Sequence, residues 1–375
     1  MQKIRIAYLI GHMKDGGAQR IILNNLFDLY DEPSLDIRLF VLDRKSDSWC
    51  DKQIQENKYN ALYFGYKSNS LLTKVKYQFV SKLEFIKKLK DFNPDIIHGH
   101  ITPLIKSTLL SILYIGCKNV FFTLHSNPFR VKSLEYWFAR IAFNSFNFIP
   151  ICLNEEQAKM AQQHYKFKHY ELLHNGVDFE KIRNNIVSKE EARKLFNVDG
   201  NSLVLCACGR LDKVKNYPLM LEIFKKVIDN RANAVLLIAG EGLEKESLIN
   251  YSEKLGIKEK VRFLGNLDNP IPLYCASDIF LLTSHSESMS LVLMEAQTCN
   301  CKCIISAGVP KESIIKNKVV SMRENATTDD WANAILSENV SYEEPRFTEA
   351  DYEVHAMSQK CKEMYLKYFN GDENE

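Results

Sequence analysis

Two glutamates, eight positions apart, flank the start of an apolar helical stretch in the segment SESMSLVLMEAQ. Glu287 precedes the predicted helix, and Glu295 lies roughly a turn and a half inside it, at about 1.5 Å per residue. The residues around the helix start are Ser288, Met289, Ser290 and Leu291. Backbone N–H groups at a helix start favour phosphate, and a carboxylate accepts two hydrogen bonds from vicinal hydroxyls such as those of a ribose. The segment therefore predicts a nucleotide-diphosphate site with one acid towards each end.

A pair of cations follows a strand pattern earlier in the chain, in the segment CGRLDKVKNYPLML. Arg210 and Lys215 flank a loop, and Asn216 is predicted to cap the helix that follows. The guanidinium fork and the ammonium point charge, placed beside a helix start, suit a diphosphate. The alternative is two solvated surface cations, but a position directly after a strand favours the diphosphate.

Further candidates follow two strands of the first half. Gly16 and Gly17 form a turn before a helix, where a backbone without Cβ atoms can approach an anion, although a purely structural turn is the alternative. His125 ends the pattern VFFTLH and is expected at the mouth of a ligand cleft, where His98 and His100 compete for the same role. The segment around Gly16 and Gly17 lacks the G-x-G-x-x-G fingerprint of dinucleotide-binding folds, and this absence disfavours an NAD oxidoreductase.

The elements that must position these residues alternate between apolar runs of strand length and helical patterns. The predicted strands span residues 4–10, 37–43, 61–66, 94–100, 120–125 and 147–152, then 202–209, 234–240, 261–265, 278–284 and 301–307. Near-continuous apolar strands separated by helices predict parallel sheets covered on both faces. Ligands of such sheets bind beyond the carboxyl ends of the strands, which is where the candidate residues lie.

The domain organisation follows from length and from one turn signal. A chain of 375 residues favours two domains. The segment HNGVDFEKIRNN combines an Asn-Gly turn with a polar, charged stretch, so we place the division there. We expect two doubly wound α/β domains, residues 1–180 and 181–347, facing each other across a cleft.

Composition and charge exclude several classes of protein. The chain is 46% apolar and 26% charged, as in soluble globular proteins, and its formal charge of +2 gives no support to a nucleic-acid partner. The sequence contains neither a signal-peptide pattern nor an apolar run of about 18 residues. Neither secretion nor a membrane span is therefore predicted. Ten cysteines, mostly within apolar runs, indicate a reducing compartment, and a cytoplasmic location is therefore expected. The cluster Cys299, Cys301 and Cys303 alternates within a strand pattern, so no metal is expected there.

Taken in order, several segments resemble those of a known family. These segments are GGAQRIILNNL, TLHS, LHNGVD, GRLDKVKN, LLIAGEG, VRFLGNLDN and the E-x(7)-E pair from Glu287 to Glu295. The resemblance is to the retaining glycosyltransferases of family 4, and it covers most of the chain up to about residue 305. It implies the GT-B architecture, in which two Rossmann-like domains face each other across a cleft.

The resemblance also assigns roles to the candidate residues. It implies a nucleotide-sugar donor held mainly by the second domain, with Arg210 and Lys215 on the diphosphate. Glu287 would bind the donor sugar and Glu295 the ribose. Transfer would retain the anomeric configuration and would need no metal or other cofactor.

Parts of the first domain receive roles from the resemblance too. Gly17 would approach the phosphate or sugar, and His125 would hold the sugar near the reacting carbon. Residues 348–375 would pack back onto the first domain as a helix. Members of the family often have the sequence E-G-F-G at the position where this chain has Glu287 followed by Ser-Met-Ser. This difference leaves the donor preference open.

The function expected from the resemblance is sugar transfer in surface polysaccharide synthesis, as in the bacterial branch that builds capsular and extracellular polysaccharides. The donor would be a UDP-linked hexose or N-acetylhexosamine, and the acceptor a saccharide, lipid-linked in this branch. Two alternatives remain: a sugar-nucleotide epimerase of the same architecture, and a non-catalytic sugar-nucleotide-binding protein.

One basic stretch adds an expectation about location. Residues 67–90 contain seven lysines and one acid, Glu84, among apolar residues at helical spacing. The lysines are Lys67, Lys74, Lys76, Lys82, Lys87, Lys88 and Lys90. A core-packed helix with a solvated basic face is one interpretation. The other is peripheral binding to anionic lipid on the inner face of the cell membrane, because basic amphipathic helices are attracted there.

Overall fold

The computed structural model describes residues 3–14, 17–46, 48–65, 71–125, 128–131 and 133–371, without the side chains of residues 71–78, 130 and 133. The chain divides into two compact units. Unit 1 comprises the residues up to Val177 together with those from Tyr352 onward, and unit 2 spans Asp178–Asp351. The chain therefore leaves unit 1 once and returns to it once, a few residues from the boundaries expected at 180 and 347.

Unit 1 is built on a parallel sheet. Its strands are β1 (Ile4–Ile10), β2 (Leu35–Val41), β3 (Ala61–Tyr63), β4 (Ile96–His100), β5 (Asn119–Thr123), β6 (Ile149–Cys152) and β7 (Glu171–Leu172). Within the described residues the seven strands lie in the order β3-β2-β1-β4-β5-β6-β7. The central strands are almost entirely buried, which is why they appear in the sequence as continuous apolar runs.

Helices cover both faces of this sheet. They are α1 (Gly17–Leu29), α2 (Trp49–Glu56), α3 (Leu71–Phe92), α4 (Pro103–Ile115), α5 (Ser133–Ser145) and α6 (Glu155–Tyr165). On one face α3 to α6 contribute to a core that includes Phe85, Ile105 and Phe143. On the other face α1 and α2 contribute Leu26 and Cys50 to a second core.

Unit 2 repeats the same plan. Its strands are β8 (Leu203–Cys208), β9 (Ala234–Ala239), β10 (Val261–Gly265), β11 (Ile279–Leu282), β12 (Lys302–Ile305) and β13 (Val319–Ser321). They are parallel and lie in the order β10-β9-β8-β11-β12-β13. Its helices are α7 (Phe179–Asn184), α8 (Lys189–Leu195), α9 (Tyr217–Asn230), α10 (Lys245–Lys254), α11 (Ile271–Ala276), α12 (Leu291–Thr298) and α13 (Thr328–Leu336).

The last helix, α14 (Val354–Asn370), belongs to unit 1 and packs beside α1. The chain returns to this unit through paired hydrogen bonds between the backbones of Val177 and the segment Tyr352–Val354. Inside the core, the hydroxyl of Tyr365 lies 2.8 Å from that of Tyr8 and 2.6 Å from Nδ1 of His98. The end of the chain thus supplies hydrogen bonds to the centre of the first sheet.

The predicted fold class is confirmed: both units are parallel α/β sheets with helices on both faces. Two short edge strands, β7 and β13, were not predicted, because two or three residues are too few to form an apolar run. The helix predicted within residues 348–375 is divided, with a 3-10 turn at Glu349–Tyr352 before α14. Among the residues that the structure describes, no helix combines the length and hydropathy needed to cross a membrane.

Candidate functional site

The centre of the second sheet is where the chain changes direction. After β8 the chain crosses over to β9 on one side, and after β11 it crosses over to β12 on the other side. The crevice outside the carboxyl ends of two such strands is the usual ligand position in doubly wound sheets. The loops at this edge carry Arg210 and Lys215 after β8, and Glu287 after β11.

Glycines fix the loop that presents the first cation. Gly240 follows β9 with a φ of +136°, and a Cβ atom at this position would lie 2.0 Å from the carbonyl oxygen of Gly209. A Cβ atom on Gly242 would lie 2.2 Å from the carbonyl oxygen of Leu211. The segment AGEG therefore packs its backbone directly against the loop that contains Arg210, a contact that side chains would prevent.

The second cation and the first acid contact each other. Lys215 Nζ lies 2.6 Å from Oε1 of Glu287, and both side chains are less than one-fifth exposed. The hydroxyl of Ser284 donates to the same carboxylate oxygen at 2.6 Å. Oε2 of Glu287 has no hydrogen-bond partner among the residues that the structure describes. The pair thus places a cation and a free carboxylate oxygen side by side at the sheet edge.

Arg210 is held differently. Its Nε donates to Asp212 at 2.7 Å, while its side chain is 75% exposed. The other oxygen of Asp212 accepts hydrogen bonds from the backbone N–H groups of Val214 and Lys215. One aspartate therefore organises the loop and anchors the base of the guanidinium, whose remaining N–H groups face solvent.

Asn216 occupies the predicted cap position at the start of α9. It has a left-handed φ of +53°, and its side chain makes no cap hydrogen bond to the helix. Its carbonyl oxygen, like that of Lys215, lies 3.0 Å from the hydroxyl of Thr283, which directly follows β11. The residue forms a backbone turn that joins the two loops, and asparagine tolerates the left-handed region better than most residues.

The second acid lies inside α12. Glu295 accepts a hydrogen bond of 2.8 Å from the hydroxyl of Tyr274 on α11. Burial and the neighbouring Cys208 and Glu295 raise the pKa of Tyr274 well above its ordinary value. The phenol is therefore protonated at neutral pH and acts as a donor to the carboxylate.

The start of α12 offers fewer backbone donors than the sequence predicted. The Ser290 N–H donates to the hydroxyl of Ser313 at 3.0 Å. The N–H of Glu287 donates to the carbonyl of Gly308. In the part of the chain that the structure describes, the N–H groups of Met289 and Leu291 have no partner, so these two remain for a ligand.

The candidates of the first half lie in unit 1. Gly17 begins α1, and no described atom lies within 4 Å of a Cβ built on it. Gly16 lies outside the described residues. His125 follows β5, and its Nε2 is 3.1 Å from Nδ1 of His100. Within the described chain the other ring nitrogens of these two histidines, His100 Nε2 and His125 Nδ1, are shielded from solvent and have no partner.

Three histidines form one cluster at this sheet. The His98 ring stacks against that of His100 at 4.3 Å, and its Nε2 lies 2.7 Å from the hydroxyl of Thr123. Burial lowers the pKa of His98 to about 3 and that of His125 to about 4. Burial, with repulsion from the other two rings, lowers the pKa of His100 well below its usual range. All three imidazoles are neutral at physiological pH.

Ile101 follows this cluster with a φ of +85°. A β-branched residue in the left-handed region is an outlier, and strain of this kind concentrates at functional sites. The carboxyl end of β4 is therefore held in a costly conformation directly after His100.

The structure brings together Lys215 and Glu287 directly, and it places Arg210 and the start of α12 at the same sheet edge. Sequence reasoning missed three supporting residues: Ser284, Asp212 and Tyr274. A signal existed for Ser284, which lies at the carboxyl end of a strand pattern in the segment LLTSHSE, two residues after β11. None existed for Tyr274, because nothing in a sequence shows that its hydroxyl meets a carboxylate 21 residues later.

Two family models match the chain in succession. The model described as Glycosyltransferase Family 4 matches residues 39–181, and the model described as Glycosyl transferases group 1 matches residues 188–338. The first match lies almost entirely in unit 1 and the second lies in unit 2. Together they extend from the end of β2 to beyond β13 and include strands of both sheets.

Among curated proteins, similarity extends over most of the chain. A UDP-Gal:alpha-D-GlcNAc-diphosphoundecaprenol alpha-1,3-galactosyltransferase of Escherichia coli is 27% identical over 303 residues, which are 77% of this chain and 75% of that protein. The O-antigen biosynthesis glycosyltransferase WclY of Escherichia coli is 25% identical, with 82% of this chain and 81% of that protein covered.

Solved structures share the fold at lower identity. Anabaena Alr3699/HepE, solved in complex with UDP and glucose, matches with a TM-score of 0.78 at 15% identity, over 97% of this chain and all of that chain. WaaG, a glycosyltransferase involved in lipopolysaccharide biosynthesis, matches with a TM-score of 0.69 at 16% identity, over 88% and 89% of the two chains. The two parallel sheets, the charged loops at the switch point of the second sheet and these matches agree: the chain is a glycosyltransferase and belongs to family 4, with the GT-B architecture.

Proposed function

We propose that this glycosyltransferase moves a hexose or N-acetylhexosamine from a UDP-linked donor to a saccharide carried on a lipid, with retention of the anomeric configuration and without a metal. The observation that carries the proposal is the Lys215–Glu287 pair, at 2.6 Å, in loops that also present Arg210. A largely buried cation, 19% exposed, beside a carboxylate with one free oxygen suits a ligand that joins a diphosphate to a sugar hydroxyl.

Each residue of unit 2 has a role in this proposal. Lys215 and Arg210 bind the diphosphate and stabilise the charge that develops on it as the sugar leaves, an electrostatic contribution that is usually large in such steps. The free N–H groups of Met289 and Leu291 add donors to the same phosphates. Glu287 accepts a hydrogen bond from the donor sugar. The assignments of Gly17 and His125 to the donor remain predictions.

The acceptor class is inferred from the relatives. The galactosyltransferase of Escherichia coli acts, by its name, on a sugar linked to diphosphoundecaprenol. A Campylobacter jejuni relative, 29% identical over 36% of this chain, also carries diphospho-undecaprenol in its name. We therefore infer a lipid-linked saccharide as the acceptor, which locates the reaction at a membrane surface, with surface polysaccharide as the product.

The donor is identified by binding. A panel of nucleotide sugars is tested for thermal stabilisation of the whole chain, since a ligand at 100 times its dissociation constant stabilises by about 2.7 kcal/mol. We expect UDP-linked sugars to raise the melting temperature more than their ADP- and GDP-linked counterparts. A panel in which no nucleotide sugar stabilises the protein would overturn the proposed donor class.

The reaction type is tested with the stabilising donor and a saccharide acceptor. Transfer with retention appears in NMR spectra as a product whose anomeric configuration equals that of the donor. Incubation with donor alone is the control, because an epimerase would produce an epimer or free nucleotide without any acceptor.

Removing the acid in α12 is expected to weaken nucleotide binding. Glu295→Ala eliminates a charge-assisted hydrogen bond to the ribose worth about 1.5–3 kcal/mol, which corresponds to a dissociation constant for UDP raised roughly 10- to 100-fold. Tyr274→Phe should raise it less, because the carboxylate stays but loses the phenol that orients it. Isothermal titration calorimetry measures both.

A ligand without the ribose hydroxyls provides the control for this assignment. The 2′,3′-dideoxy analogue of UDP should bind wild type and Glu295→Ala equally. If the variant loses the same factor for both ligands, Glu295 does not contact the ribose.

A further inference from the structure

Three neighbouring helices of unit 1 expose apolar side chains on their outward sides. The residues are Phe79 and Leu83 on α3, Leu110 and Tyr114 on α4, and Trp137 and Ile141 on α5. Phe79, Leu110 and Tyr114 are each about two-thirds exposed, at 66%, 69% and 65%, and Trp137 is 55% exposed. In each helix the two residues are four positions apart and therefore lie on one side. We call this surface the α3–α5 face.

The three helices form one layer, so their outward sides are neighbours. All three contribute inward residues to the same core, including Phe85, Leu109 and Ala142. The α3 and α4 helices pack together, as do α4 and α5. Lys90 of α3 places its ammonium 5.3 Å from the ring centre of Tyr114 on α4, which confirms that these surfaces adjoin.

The charges on this surface are positive. Lys87 and Lys90 follow Leu83 at helical spacing on α3, Lys106 lies one turn before Leu110 on α4, and the Arg140 guanidinium lies 5.7 Å from the ring centre of Trp137. At about 100° per residue, the acids Glu84 and Asp91 lie roughly 80° to 100° around α3 from Leu83, on the far side of Lys87. The groups nearest to the aliphatic and aromatic side chains are therefore cations, with the two acids beyond Lys87.

This composition indicates the partner. Exposed apolar patches mark protein, ligand or membrane contacts. Tyrosine and tryptophan are enriched at membrane interfaces, where one end of the ring system is apolar and the other is wet. Lysine and arginine beside them are attracted to anionic headgroups. A protein partner would equally cover the apolar residues, but the cations bordering them complement a lipid surface of negative charge.

We propose that the α3–α5 face docks the enzyme onto an anionic bilayer, with the aromatic and aliphatic side chains entering the interface and the lysines contacting phosphate headgroups. The proposal refines the predicted membrane contact of the basic stretch, residues 67–90. Lys87 and Lys90 of that stretch belong to the face, whereas the side chains of Lys67, Lys74 and Lys76 are outside the part that the structure describes. It extends that expectation to α4 and α5, which the stretch did not include. It deepens the proposed function, on which it rests only for the identity of the acceptor.

Co-sedimentation with vesicles tests the electrostatic part. We expect wild type to bind vesicles of equal parts phosphatidylglycerol and phosphatidylcholine at low salt, and to bind pure phosphatidylcholine far less. Each lysine near an anionic surface contributes about fivefold to binding, so changing Lys87, Lys90 and Lys106 to glutamine should weaken it on the order of 100-fold. The matched control changes three exposed lysines of unit 2, Lys194, Lys254 and Lys258, to glutamine and should leave binding unchanged.

The apolar part is tested separately. Leu110→Ser combined with Trp137→Ser should weaken vesicle binding at low and at high salt, because insertion of apolar groups is not screened. In a Trp49→Phe/Trp331→Phe background, the fluorescence of Trp137 should shift to the blue and be quenched by brominated lipid. This measurement on otherwise unchanged protein keeps the proposal testable if a surface variant folds poorly.

Any of three results would overturn the proposal. The first is that wild type does not bind anionic vesicles at low salt, the second is that the lysine variants of the face bind as well as wild type, and the third is that brominated lipid does not quench the fluorescence of Trp137. Sedimentation velocity would then show whether a second copy covers the face. Donor stabilisation is measured without vesicles, so failure of membrane docking and failure of the donor proposal are distinguished.

Discussion

Replacing Lys215 by methionine is expected to lower turnover about 100- to 1000-fold, the range found when one preorganised donor to developing charge is removed. It should also reduce the free energy of unfolding of unit 2 by about 3 kcal/mol, because the carboxylate of Glu287, 12% exposed, loses the cation 2.6 Å away. The stability loss is read from urea unfolding followed by the fluorescence of Trp331, which is buried in unit 2.

Two further variants separate the effect of the missing cation on turnover from the effect of the unpaired Glu287 carboxylate on stability. In Lys215→Met/Glu287→Gln no unpaired carboxylate remains, so most of the stability should return while turnover stays low. Lys213→Met removes an exposed cation from the same loop and should change neither quantity by much. A double variant as unstable as Lys215→Met alone would contradict the ion pair. Turnover at the wild-type rate in Lys215→Met would contradict its role at the diphosphate.

Acid is expected to destabilise unit 1 steeply. The pKa values of His98 and His125, about 3 and about 4, lie below the ordinary value of 6.5. Between these values the unfolded chain binds more protons than the folded one. The stabilisation is therefore fully present above about pH 6.5 and is lost progressively as the pH falls towards the folded pKa values. As the pH falls from about 7.5 to about 5, the free energy of unfolding should decrease by about 2 kcal/mol for each buried neutral histidine.

The experiment compares variants at both pH values. Over this range, the free energy of unfolding of His125→Asn should decrease by about 2 kcal/mol less than that of wild type. The control is His169→Asn, at an exposed position, which should show the same decrease as wild type. Trp49 and Trp137 report on unit 1 in a Trp331→Phe background. An acid loss in His125→Asn equal to that of wild type would show that this ring is not held neutral by burial.

The order of the elements could be predicted because the physics that produces it is local. Strands buried on both faces must be apolar throughout, and helices between them must follow a different period. The sequence therefore contains the alternation from β1 to β12. The two edge strands β7 and β13 escape this logic, because two or three residues that pair with a single neighbouring strand are too few to form an apolar run.

The site was predictable as a set of positions and unpredictable as a set of contacts. Residues after parallel strands lie at one edge of a sheet, and this rule alone predicts that Arg210 and Glu287 share that edge. Which side chains pair is a different matter: Lys215 and Glu287 are 72 residues apart, and either could have been paired elsewhere. The hydrogen bond from Ser290 to Ser313 is of the same kind, since it removes a backbone donor that the helix start alone would offer.

The return of α14 to unit 1 has a consequence for how this chain matures on the ribosome. Tyr365 forms hydrogen bonds with Tyr8 and His98, two buried groups that are translated well before it and cannot be satisfied until α14 has been made. Unit 2, by contrast, is one continuous segment whose residues are all available before α14 is made. Domains usually complete in the order of translation, from the amino terminus onward. Here unit 1 begins before unit 2 and is completed after it, so a stop codon before α14 would leave the centre of its sheet incomplete.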